Sequence, residues 1–169
     1  MTMSFHKFVI IETAGIAAMN AAINGSYTSW LWHELDPITL NGASGIAFDL
    51  AATPVWIAVL SCLLGTAGVR SKLLQGRVQM PPRTPYPAIF SMLPRGIFAR
   101  AACLGAVAAM ALSAPLWLLL QAGGGETLSL GAALLAKIGV TVLLSAVIVP
   151  VVIHAALADV QSLPIATAA

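Results

Sequence analysis

The sequence predicts an all-α membrane protein, four transmembrane helices in a bundle with both termini on the cytoplasmic side. Three observations lead there: four long apolar stretches, a scarcity of charge, and the uneven placement of the basic residues. Of 169 residues, 59% are hydrophobic and 8% charged, against about 25% charged in ordinary soluble domains. Mean hydropathy is +0.93. So few charged side chains cannot coat a water-facing surface, and a lipid bilayer is the consistent solvent. The length suits one domain. A net charge of +2 is too small to suggest nucleic acid as a partner. Cys62 and Cys103 both fall in apolar runs, so neither a disulfide framework nor zinc spacing is present.

The apolar stretches run over about 8–30, 46–69, 97–120 and 129–157. Each is long enough for a hydrocarbon core, which takes roughly 20 helical residues. Leu- and Ala-rich runs of this length favour helix, and the alternation of a membrane barrel is absent. The fourth stretch exceeds what crossing needs, so it is expected to tilt or to extend past the membrane. The first is read as a retained span rather than a signal peptide. It has only Lys7 as a basic flank, Glu12 interrupts it, and it is too long for an h-region.

Orientation follows from the charges. Arg70, Lys72, Arg77, Arg83, Arg95 and Arg100 lie in or beside the connection 70–96, whereas the other two connections carry Glu34, Asp36 and Glu126 and no Lys or Arg. The positive-inside rule places the basic connection in the cytoplasm, and both termini with it. Trp30, Trp32 and Trp117 fit an aromatic belt at the opposite interface. The basic connection also holds Pro81, Pro82, Pro85, Pro87 and Pro94. Proline withholds backbone donors and restricts its neighbours, so an extended loop touching anionic headgroups is expected here rather than a fifth helix. The alanine-rich composition points to a bacterial cytoplasmic membrane.

Polar groups within the spans are where function would show, because each is costly in lipid unless paired or wetted. In the first span Thr13, Ala17, Asn20, Asn24 and Tyr27 recur at spacings of four and three, on one helix face. Such a stripe must face protein or water, and interhelical hydrogen bonding is its simplest use. Glu12 lies about 6 Å into the first span at about 1.5 Å per residue, and His154 falls at the matching depth of the fourth, so the two could pair. Lys137 lies about 9–12 Å into the fourth span, with Thr141 and Ser145 following on its face. An ammonium at that depth needs a partner, and Asp49 is expected to be it, with Asn24 second.

Span three differs. Ala101, Gly105, Ala109 and Ser113 form a small-residue strip at spacing four, which allows close backbone approach within the bundle or between protomers. Pro54, Pro115 and Pro150 sit inside spans two, three and four, where each removes a helical hydrogen bond and is expected to kink its helix.

The run Ile11-Glu12-Thr13-Ala14-Gly15 resembles the small multidrug-resistance transporters, whose first helix carries a membrane-embedded glutamate; the likeness covers these five residues and implies transport. The long basic connection departs from the short loops of that family. Quinone-linked thiol oxidases would need paired outer cysteines, and four-helix haem b proteins would need histidine pairs within the spans. His6, His33 and His154 cannot supply those pairs. His33, Glu34 and Asp36 cluster just after Trp32, but their spacing matches no metal-ligand pattern. No metal or cofactor is expected.

Without a catalytic constellation, the chain reads as a non-catalytic accessory or self-associating membrane component, partnered by lipid and by a homo-oligomer or larger membrane complex. The alternative is a small proton-coupled transporter or channel using Glu12, Asn20, Asn24, Asp49, Lys137 and His154.

Overall fold

The computed structural model describes residues 2–41, 45–81, 92–122 and 126–161. Four helices dominate it: α1 (Phe5–Trp32), α2 (Ile46–Leu74), α3 (Ile97–Ala122) and α4 (Leu130–Gln161), each long and apolar enough to cross a membrane. They coincide with the four apolar runs and overshoot each at its C-terminal end. The shortest has 26 residues and the longest 32, or roughly 39 to 48 Å at 1.5 Å per residue. About 30 Å of hydrocarbon would leave a turn or more to spare.

The helices pack in the order α1–α4–α2–α3, so α2 and α4 are central and α1 and α3 form the edges. Burial follows this order. Of the most apolar window in each, 56% is buried in α2 and 44% in α4, but only 17% in α1 and 11% in α3. The chain alternates direction, so the two central helices run parallel. Lys137 near the start of α4 meets Asp49 near the start of α2, and Asp159 near the end of α4 meets Arg70 near the end of α2. Phe8, Val69, Leu73, Val149, Ile153 and Leu157 make one apolar cluster, and Trp32, Ile38, Ile46, Leu50 and Ala133 make another near the opposite end.

Backbone pairing latches both ends. At one, β1 (Ile38–Thr39) pairs antiparallel with β2 (Thr127–Leu128), joining the α1–α2 connection to the α3–α4 connection. Two-residue strands are too short to show a pattern in sequence. Beside them the Ser129 hydroxyl accepts from the Ala132 N–H at 3.2 Å, and Asp36 Oδ1 accepts from the Leu130 N–H at 3.4 Å. Both satisfy donors at the start of α4. At the other end, α2 closes on Gly76 (φ +66°). The Gly76 N–H donates to Leu73 O and the Arg77 N–H to Lys72 O, a Schellman arrangement that needs the left-handed backbone glycine tolerates. The reversed chain then bonds Met3, whose N–H donates to Arg77 O while its carbonyl accepts from Gln79 N–H.

Helix α3 corrects the small-residue strip. A π-helical turn, Ala109–Ser113, interrupts it, with the Ala114 N–H donating to Ala109 O five residues back. Pro115 follows directly, and its ring would clash with the carbonyl four residues before it in a regular α-helix; a widened turn makes room. The extra residue rotates the face. Ala101, Gly105 and Ala108 are buried, whereas Ala109 and Ser113 are only half-buried. The buried part packs within the chain: a Cβ on Gly105 would lie 2.9 Å from Val59 Cγ2 of α2. Pro54 and Pro150, by contrast, sit inside unbroken helices. Residues 82–91, with Arg83, Pro82, Pro85 and Pro87 of the basic connection, lie outside the described residues.

Candidate functional site

Among the described residues, seven charged side chains form three cross-helix clusters. The deepest surrounds Lys137, which is 2% exposed. Its Nζ donates to Asp49 Oδ2 at 2.5 Å, to Thr53 Oγ1 at 2.6 Å and to the Asp49 carbonyl at 3.3 Å. Three acceptors match the three donors of an ammonium group. Asp49 and Thr53 stand one turn apart on α2, where residues four apart share a face. The expected Lys137–Asp49 pair is present. Asn24 is not the second partner: its amide donates to Asn20 O of its own helix at 2.9 Å, and α1 packs on α4 from another side than α2 does. The Asp49–Thr53 spacing was the signal that could have named the partner.

The second cluster corrects the Glu12–His154 pairing. Glu12 is bound by Lys72 of α2, whose Nζ also lies 5.7 Å from the centre of the Phe8 ring. His154 instead donates from Nδ1 to the Pro150 carbonyl at 2.7 Å and stands edge-on to Phe5 at 5.5 Å. Matching depth was not enough, because the long Lys72 stem brings a full charge to Glu12 from the next helix.

The third cluster was not anticipated from sequence. Arg100, 1% exposed, donates from Nη2 to Asp159 Oδ1 at 2.9 Å and Oδ2 at 2.7 Å, and from Nε to Pro94 O at 3.0 Å. Arg70 Nη2 reaches the same Asp159 Oδ2 at 2.6 Å and Arg95 O at 3.0 Å. One carboxylate thus joins α2, α3 and α4. Counting Arg70 and Arg100 as a topology signal treated them as solvated. The overlooked signal was a lone acid, Asp159, near the end of α4 at the level of the basic connection.

The polar stripe of α1 faces α4 in part. Asn20 Nδ2 donates to Ser145 Oγ at 3.0 Å, linking the stripe to the Lys137–Thr141–Ser145 face of α4, all three of which are buried. Tyr27 at the stripe's end is exposed. Two recesses border these clusters. A groove of about 220 Å³ between α1 and α2 is lined by Glu12 and Asn20 together with Ser61, Gly65 and Gly68. A cavity of about 790 Å³ at the other end is lined by Asp49 and a ring of aromatic side chains. Of the six polar candidates, the structure therefore joins Asp49 with Lys137, sets Glu12, Asn20 and Asn24 along α1, and leaves His154 bonded to its own helix.

Trp32 corrects the aromatic belt: it is 4% exposed, in the core, whereas Trp30 is 71% exposed. His33 Nε2 lies 3.5 Å from Glu34 Oε1, both well exposed, and Asp36 bonds α4 as described. Among the described residues no three His, Cys, Asp or Glu come together as a metal site. Comparison with protein-family models, with curated proteins and with solved structures gives no match.

Proposed function

We propose that this chain is a four-span integral membrane protein, N-in and C-in in a bacterial cytoplasmic membrane, serving as a non-catalytic component of a membrane assembly. One observation carries the reading: Glu12, Asp49 and Lys137, the charges that would work a transport path, are each tied to a partner on another helix. Groups held this way position helices rather than cycle through protonation. The thinly buried edge helices α1 and α3 are where a homo-oligomer or a larger complex would pack. The orientation rests on the basic residues of the connection 70–96.

The test has two parts. Reporters fused after Leu40 and after Gly124 are expected outside, and fusions after Met80 and Ala169 in the cytoplasm; an outside signal from Met80 overturns the orientation. Reconstituted vesicles are expected to pass ions and small amines no faster than empty ones. The transport reading draws support from the α1–α2 groove, which exposes Glu12 and Asn20 together. Flux abolished by Glu12→Gln would establish it in place of the first.

A further inference from the structure

The aromatic cavity has a composition that helix anchoring does not require. Tyr27 and Trp32 come from α1, Phe48, Asp49 and Trp56 from α2, and Trp117 from α3. Its volume, about 790 Å³, is in the range of small-molecule sites, roughly 300–1,000 Å³. Tyr27, Phe48, Trp56 and Trp117 are exposed residues that line it in part. Here three of the chain's four tryptophans line one recess, and one of them, Trp32, is core-buried.

Asp49 is the single charged residue in the lining among the described residues. Its two oxygens are used differently. Oδ2 holds Lys137, while Oδ1 accepts no hydrogen bond among the described residues, and the side chain is 23% exposed. Lys137, at 2% exposed, is not among the residues that line the cavity. Of the ion pair, the carboxylate is therefore the member that reaches the cavity. Aromatic faces are themselves negative at the ring centre and attract cations, most strongly for tryptophan.

We propose that this cavity binds an organic cation bearing a quaternary ammonium group. A primary ammonium would need three hydrogen-bond acceptors to replace its water, whereas a methylated one needs ring faces and one nearby negative charge. The cavity offers the second set. Such a group occurs both in soluble amines and in phosphocholine lipid headgroups, and the chemistry of recognition is the same for either source.

The full chain in a maltoside detergent, whose headgroup is neutral, is titrated with choline, with its uncharged isostere 3,3-dimethylbutanol, and with soluble dibutyrylphosphatidylcholine, following tryptophan fluorescence. Choline is expected to change the emission saturably and to bind at least tenfold more tightly than the isostere. Phosphatidylcholine binding tenfold tighter than choline identifies a lipid headgroup as the natural source; equal or weaker binding identifies a soluble amine. Trp56→Leu removes a ring that is 62% exposed, so it spares the core, and is expected to weaken choline binding several-fold. Because Asp49→Asn alone strands Lys137, the carboxylate is tested in the pair Asp49→Asn with Lys137→Met, which is expected to lose choline binding at least tenfold. Lys137→Met alone, with the carboxylate released, is expected to bind choline more tightly than wild type. Equal binding of choline and the isostere, undiminished binding by the double variant, or no response to choline and phosphatidylcholine alike overturns the proposal.

Discussion

Lys137 of α4 and Asp49 of α2 meet at 2.5 Å although 88 residues separate them, and they meet near the starts of two parallel helices. Asp159 joins the same two helices near their ends, through Arg70. The central pair is thus pinned by charge at both ends, with apolar contact between. The two pins differ in how deeply they are buried, and the predictions turn on that difference.

Removing either partner of the Lys137–Asp49 pair is expected to cost unequal amounts. Asp49→Asn leaves the 2%-exposed Lys137 without a counter-charge, at about 3–5 kcal/mol. Lys137→Met is expected to cost less, because Asp49 opens onto the cavity and can be hydrated there. The double variant is expected to recover most of the loss, with a coupling of roughly 2 kcal/mol or more. Thermal stability of the four proteins in detergent measures this; strictly additive losses would show that the pair contributes nothing jointly.

At the other end, Asp159→Asn is expected to be more damaging than Arg70→Ala. The first strands Arg100, which is 1% exposed, for about 3–5 kcal/mol. The second removes a side chain that is 29% exposed, for about 0–1 kcal/mol. The same melting assay ranks them, and a larger loss from Arg70→Ala would reverse the assignment of Arg100 as the principal partner.

Gly105→Leu is expected to push α3 off α2, since even a Cβ at that position meets Val59 Cγ2 at 2.9 Å. Overpacking of this kind costs about 1–3 kcal/mol, and Val59→Ala should return part of it. An engineered cysteine at Ala109 reports on the rival use of the strip. Cross-linked dimers from that cysteine, lost on Gly105→Leu, would mean that the strip joins protomers as well as helices of one chain.

The sequence by itself determined the number, extent and kind of the long elements. Lipid-length apolar runs admit no other structure than helix, and that signal is local and spans some 20 residues each. It also determined that Lys137 could not stand alone, and with so few acids in the chain Asp49 was the natural partner. Tertiary structure decided what local signals do not contain: which helices touch. The order α1–α4–α2–α3 put Lys72 rather than His154 against Glu12, gave Lys137 the Thr53 hydroxyl rather than Asn24, and drew Arg70 and Arg100 onto Asp159. Depth along a helix is readable from residue count at a fixed rise. The direction a side chain faces depends on its neighbours, and one widened turn before Pro115 was enough to rotate the strip of α3 away from its sequence spacing. The aromatic cavity has the same origin, since its walls come from three helices and only the packing of the chain brings their rings together.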